Sequence, residues 1–388
     1  MSDAHGSTRS GRIRTPGAWS KRNRPQAISG WIFIAPAVVL LLLFLVLPII
    51  MAAWVSVSDW SGRGSPFSSN VSFVGADNYA TLTTQGGLAE KDFAVSLRNN
   101  VYYVILVVPI QTALSLTLAV MVNRRLLRAR GFFRTAFYFP SVTSSVAITV
   151  LFLFLFSPEG AVNKALSYLS VDGPNWMSEP RGLVHLLLGA FGVDHSPAAL
   201  QASPLLGLSW WEWIAGPSVA MTVFIIMAIF TTSGTFMLLF IAALQSIGEE
   251  IDDASRVDGA TAWQRFSRVT VPMLRPTLFT VITLGLIGTW QVFDQIYTGT
   301  KGAPAKTTLT PAYLSYEASF ERQHWGEGAA IAFILFAIIV IMTIVQRATL
   351  REHTTVPRRH RFVFGDGTTI ADRKKQSKAP GTEEDGHV

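Results

Sequence analysis

Carboxylates crowd one short polar stretch of this chain. Glu249, Glu250, Asp252 and Asp253 fall close together, and Asp258 follows just before Gly259. The apolar residues Ile247, Ile251, Ala254 and Val257 recur at helical intervals, so a short helix here carries one sticky face. Its acids occupy the first turns, where they suit the positive end of the helix dipole. Gly259 can take the left-handed backbone that ends such a helix. A second stripe, Trp263, Phe266 and Val269, runs on to Pro272 and Pro276, which bring it to a stop. Neither segment is long enough to cross a bilayer and neither holds a catalytic cluster. On pattern alone this is a surface pair of amphipathic helices lying at a membrane.

Other chemistry-bearing residues are sparse. No G-x-x-x-x-G-K-[ST] phosphate loop occurs, and the seven histidines are scattered without metal-ligand spacing. The chain has no cysteine, which excludes disulfides, Fe–S clusters and thiolate metal sites. Nothing marks a Ser/His/Asp constellation, so a membrane enzyme is poorly supported. An ion-gradient-coupled secondary transporter is the alternative to weigh, and such carriers place charged groups at mid-membrane depth. The apolar runs here are nearly free of charge. Asp294 is the exception, and it is expected near the outer end of its helix.

The elements that must position these residues are membrane spans. The 388 residues are 49% hydrophobic and only 15% charged, with a mean hydropathy of +0.36. Several apolar runs are long enough to cross a bilayer. Six spans are expected: about 31–57, 101–122, 137–156, 218–244 with an interruption at Thr231–Thr235, 278–297 and 326–345. Residues 1–30 form a basic N-tail and 347–388 a basic C-tail, both of disordered composition. The long connections fall at about 58–98, 157–217 and 298–325, and the polar island occupies 245–276. Trp210, Trp211 and Trp213 suit an aromatic belt at the water boundary. Of the 32 lysines and arginines, 24 lie in the two tails, the 123–134 loop and the island. The positive-inside rule therefore puts both termini and the island in the cytoplasm.

Asp253-Ala254-Ser255, Asp258-Gly259-Ala260 and Val271-Pro272 together resemble the EAA loop of importer-type ABC permeases, with Asp for the usual Glu and Ser for the second Ala. Phe73-Val74-Gly75-Ala76-Asp77-Asn78-Tyr79, Leu97-Arg98-Asn99-Asn100 and Arg130-Gly131-Phe132-Phe133-Arg134-Thr135 with Phe139-Pro140 look like the same family. So do Val292-Phe293-Asp294-Gln295-Ile296-Tyr297, Gly302-Ala303-Pro304 and the Gln323–Gly326–Ala330 spacing. The resemblance spans roughly 31–350 and is to carbohydrate ABC importer permeases of the maltose and glycerol-3-phosphate type. Only 157–217 is longer than that family usually has, as an elaborated contact with a binding protein would be.

The resemblance implies an all-α, six-span permease bundle in a bacterial cytoplasmic membrane, with the island as a coupling helix. It implies no cofactor on this chain, ATP and Mg being used by a partner ATPase dimer. A second permease subunit, an extracytoplasmic substrate-binding protein, a sugar and membrane lipid complete the implied partners; nucleic acid is not among them. Carried onto this sequence, Glu250, Asp253, Ala254, Ser255, Asp258, Gly259 and Pro272 are the ATPase-coupling residues. Thr232, Thr235, Gly285, Thr289, Trp290 and Asp294 are the substrate-path residues. Mid-helix Thr and Gly also suit close helix packing, and Trp290 packing between subunits, so both roles stand open at this stage.

Overall fold

The structure, a computed structural model, describes residues 24–123, 129–193, 195–202 and 205–349. Most of both basic tails, with Arg124, Arg125 and Arg128, lies outside the described residues. Among those described, no strand forms; apart from three isolated bridges, regular structure is helical.

The first span, α1, runs Arg24–Leu41, passes through a π turn at Leu42–Val46 and continues as Leu47–Ser56. The π turn falls just before Pro48, which lacks the N–H a regular helix would use. The second helix, α2, is Leu88–Asn123, and it starts well before the expected 101 because Ala94, Asn99 and Asn100 are buried in the bundle rather than in an outer loop. Then come α3 (Arg130–Val142), α4 (Ser145–Leu155), α5 (Val219–Ser246), α6 (Glu249–Val257), α7 (Arg275–Trp290), α8 (Asp294–Gly299) and α9 (Trp325–Thr349). Short helices punctuate the long connections, among them Asp77–Thr83, Ala161–Ser167, Leu183–Ala190 and Pro311–Tyr316.

Three spans depart from expectation. The third is two helices, α3 and α4, bent by 97°. Pro140 lies in the last turn of α3 and Ser144 is extended at φ −53°, ψ 133°, so the chain leaves the helix there. The fourth is not interrupted at Thr231–Thr235. Thr231, Thr232 and Ser233 each return a hydroxyl to the carbonyl one turn back, which satisfies them inside a continuous α5. The fifth breaks after Trp290 and restarts at Asp294, through a Phe293 at φ −134°, ψ −58°. Carbonyls freed by that break are met from neighbouring elements. Asn100 Nδ2 donates to the Trp290 carbonyl at 3.4 Å, and Thr310 Oγ1 to that of Val292 at 3.0 Å.

Burial identifies the bundle's centre. Of the apolar window of α5, 56% is buried, and of α2, 44%, against none for the first span. One core cluster joins Tyr103 and Val107 of α2, Phe152 of α4, Phe224 and Met227 of α5, Ile296 of α8 and Tyr313. A second gathers Ala119 and Val122 with Phe236, Met237 and Phe240, closed by Leu274 and Val281. At the end of α2 nearer Leu88, Asp92 is almost fully buried between Lys306, at 2.6 Å, and Arg322, at 3.3 Å. Asn99 Nδ2 donates to the carbonyls of Lys306 and Leu309, so the 300–322 connection is pinned to α2 by both charge and amide.

Helices α3 and α5 approach closely at Gly234. A Cβ there would lie 2.2 Å from the Phe137 carbonyl oxygen and 2.9 Å from the Tyr138 Cα, both backbone atoms that can yield only if α3 moves. Ser141 Oγ reinforces the contact by donating to the Thr231 carbonyl at 2.7 Å. Gly234→Ala is therefore expected to destabilise the bundle by about 1–3 kcal/mol, the usual range for overpacking. The check is the apparent unfolding temperature of the detergent-purified chain, which should fall.

Candidate functional site

Two regions carry the candidate residues: the polar island and a cavity in the bundle. In the island, α6 ends in a Schellman motif. The Gly259 N–H donates to the Arg256 carbonyl and the Ala260 N–H to that of Ser255, with Gly259 at φ +76°. The space around Gly259 is open, so it is the backbone angle, not crowding, that requires glycine. Asp252 reaches Arg256 at 2.7 Å and Arg265 at 3.2 Å, and Arg265 Nη1 donates to the Ala260 carbonyl. The turn is thereby tied to the helix that follows, which opens with a Thr261–Gln264 capping box.

Glu250, Asp253, Ala254 and Asp258 are exposed, and Ser255 is half-buried with its hydroxyl spent on the Asp252 carbonyl. Val257 is 88% and Trp263 72% exposed, so the island's apolar stripe faces outward. Ile247 and Leu274 point the other way, into the Phe240 cluster. Pro272 lies just beyond a second π turn, Phe266–Thr270, and the chain breaks at Leu274 before α7. The island is thus anchored at both ends and bare between.

The cavity lies among α2, α5, α7 and α8, and holds about 260 Å³. Thr232 of α5, Gly285 and Thr289 of α7 and Asp294 of α8 all line it, with Gln291, Phe236 and Phe293. An adjoining cavity of about 280 Å³ shares Thr231, Thr232, Phe236 and Gln295 and adds Thr235 and Ser141. Five of the six expected path residues thus meet at this pair of cavities. Trp290 does not. It is 3% exposed in a separate cluster with Val104, Val108, Leu286 and Leu335, turned away by the helical step that puts Thr289 on the cavity side. Asp294 also differs from expectation, since it opens α8 after the break instead of closing the fifth helix.

The residue that the sequence reading missed is Gln111, in the middle of α2. It is fully buried, lines the cavity, and its Oε1 lies 2.5 Å from Thr232 Oγ1. Its Nε2 has no partner. The signal was present: a lone amide inside an apolar span is costly and marks a polar path.

A third cavity, of about 350 Å³, lies apart from these. Lys91, Arg98, Arg181, His185 and Glu212 line it. His185 stacks on Trp211 at 4.2 Å, and burial holds its imidazole below the usual range, against the pull of the nearby Trp211 carbonyl.

A bent, broken-helix bundle around a polar cavity, with a bare amphipathic helix anchored beneath it, is the build of a membrane permease. Comparison with known proteins agrees. Residues 111–351 match the family described as binding-protein-dependent transport system inner membrane component. The lactose transport system permease protein LacF of Rhizobium radiobacter is 31% identical, over 86% of this chain and 97% of its own. The multiple sugar-binding transport system permease protein MsmF of Streptococcus mutans is 27% identical over 82% and 93%. The trehalose/maltose transport system permease protein MalF of Thermococcus litoralis is 26% identical over 84% and 95%. In fold, the chain is similar to a bacterial ABC transporter that imports the acidic polysaccharide alginate, with a TM-score of 0.64 at 20% identity over 86% of this chain and all of the other.

The chain belongs to the binding-protein-dependent transport system inner membrane component family. It is a multi-pass permease subunit of an ATP-driven importer, not an enzyme in its own right.

Gly285 is tested by contrast with Gly234. A Cβ at 285 would lie 2.5 Å from Gln111 Nε2, the free end of a side chain rather than backbone. Gly285→Ala should therefore change stability by less than about 1 kcal/mol, because the amide swings aside, while substrate flux falls severalfold. Unfolding temperature and uptake, measured on the same reconstituted preparation, separate the two effects.

Proposed function

We propose that this chain forms half of the translocation path of an importer for uncharged saccharides, and that the 245–276 island couples it to a cytoplasmic ATPase. The observation that supports this reading is the lining of the two adjoining cavities. Thr231, Thr232 and Thr289 supply hydroxyl oxygens whose hydrogens are spent on their own helices or, for Thr232, on Gln111, Thr235 a further hydroxyl, Gln111, Gln291 and Gln295 amides, and Phe236 and Phe293 apolar ring faces. That mixture suits a sugar, which offers hydroxyls around its rim and C–H groups on its faces. Lys, Arg and His are absent from both linings, and Asp294 is the one acid. An anionic saccharide would enter this half of the path without a counter-charge and against a carboxylate. The lactose, trehalose/maltose and multiple-sugar permeases among the relatives point to the same substrate class.

The island is the coupling element in this reading. Its carboxylates Glu250, Asp253 and Asp258 and the exposed Ala254 form the surface that an ATPase cleft receives; Ser255 and Gly259 set the turn, and Pro272 ends the loop. In this reading both basic tails lie on the cytoplasmic side, as the positive-inside rule expects. A second permease subunit completes the path, two ATPase subunits bind ATP and Mg beneath it, and a substrate-binding protein delivers the sugar outside. The crystal structure of the alginate transporter with its pentasaccharide-bound periplasmic protein is a precedent for that last partner.

Purification of the tagged chain in mild detergent should bring down a second permease and an ATPase. In proteoliposomes with the binding protein, that complex should take up labelled neutral disaccharides and reject a uronic-acid disaccharide. Gly259→Val forces a β-branched residue into the left-handed region. It should leave the chain in the membrane yet lower sugar-stimulated ATP hydrolysis at least about tenfold, as expected when a coupling turn is lost. Uptake driven by an ion gradient without ATPase would overturn the proposal.

A further inference from the structure

Gln111 stands at the meeting point of three helices. From α5, Thr232 Oγ1 lies 2.5 Å from its Oε1 and 2.7 Å from the Ala228 carbonyl oxygen. From α7, Gly285 leaves room for the other end of the amide, since any Cβ there would lie 2.5 Å from Nε2. The side chain is fully buried, and its outer nitrogen has no partner although it lines the cavity.

One hydrogen limits what Thr232 can do. If its hydroxyl donates to Gln111 Oε1, the amide NH₂ is left as a free donor. If it donates to the Ala228 carbonyl, its lone pair takes an N–H from the amide in the turned orientation, and the carbonyl oxygen is left as a free acceptor. Either way one end of the amide is held and the other is offered, beside Gly285. A ligand hydroxyl both donates and accepts, so it satisfies the offered end in both cases. An ammonium or a carboxylate satisfies only one.

We propose that Gln111 is a specificity-determining residue that binds one hydroxyl of the passing saccharide, with Thr232 and Gly285 as its positioning residues. This deepens the saccharide reading of the same cavity and rests on it. A buried site built around one hydrogen bond rejects analogues that lack the matching group far more strongly than an apolar pocket rejects a smaller ligand. Discrimination between a sugar and its deoxy forms is therefore the property Gln111 should control.

The test uses the complete transporter in proteoliposomes, with saturating binding protein, labelled lactose, maltose and trehalose, and monodeoxy analogues of the fastest of the three. The wild-type complex should transport at least one monodeoxy analogue tenfold or more slowly than its parent. Gln111→Leu should slow the parent about tenfold and shrink that discrimination to less than twofold. Gln111→Met, close to glutamine in length but without a hydrogen-bonding amide, should reproduce the loss of discrimination and guards against a folding defect. Wild-type-like discrimination in Gln111→Met would overturn the assignment and leave the amide to a trapped water, with the saccharide reading intact. Failure of the wild-type complex to move any neutral saccharide would overturn both.

Discussion

Hydrocarbon offers no hydrogen bonds, and that constraint governs this bundle more than any single contact. Every break in a helix frees carbonyls and amides that must find partners inside the protein. The chain breaks its third and fifth spans, and at the fifth two of the freed carbonyls find partners on other elements. Asn100 and Thr310 reach the carbonyls at the Trp290–Val292 break. Ser141 crosses from α3 to the Thr231 carbonyl. Thr231, Thr232, Ser233 and Thr289 fold their hydroxyls back onto their own helices. Among the described residues, other buried side-chain atoms also lack a partner, Asn100 Oδ1, Ser145 Oγ and Trp290 Nε1 among them, and what distinguishes Gln111 Nε2 is that its residue lines the cavity among α2, α5, α7 and α8.

The same constraint explains what could be read from the sequence. Hydropathy located the five helices that are long and apolar enough to cross a bilayer, and the bent α3–α4 pair besides, because burying an apolar run of that length has few other solutions. The left-handed turn at Gly259 was legible because glycine after a short amphipathic run has a strong local meaning. The bend between α3 and α4 was harder to see. Thr143, Ser144 and Ser145 are polar, but so is the Thr231–Thr235 run that stays helical, and it is Pro140 with the non-helical Ser144 that makes this one a corner. The Thr231–Thr235 run misled in the opposite direction. Polar residues read as an interruption, but hydroxyls that bond one turn back leave a helix intact.

Side-chain direction was the least legible quantity. Trp290 and Thr289 are neighbours in sequence, yet the helix turns one into the cavity and the other into the Val104–Leu335 cluster. Distance along the chain could not separate them, because the helix face that meets α2 is chosen by Val108, Leu286 and Leu335 together. Gln111 was missed for a related reason. No motif surrounds it, and its role arises only when α5 and α7 bring Thr232 and Gly285 to it.

In the proposed reading, the island and the cavity communicate through α5. Helix α5 carries Thr231, Thr232, Thr235 and Phe236 at the cavity and continues without a break to Ser246, the residue before Ile247 and α6. At a rise of about 1.5 Å per residue, the segment from Thr232 to Ser246 spans roughly 20 Å of rigid helix. Its far end is packed through Phe240, Ile241 and Ile247 against Leu274, which closes the other side of the island. In that reading a push on α6 would be delivered to α5 and to the start of α7 together. Those are the helices that hold Thr232 and Gly285 around the Gln111 amide. A displacement between them need not be large to separate an amide from a hydroxyl 2.5 Å away. In the proposed reading, the grip on a sugar hydroxyl and the state of the coupling loop are two ends of one mechanical element.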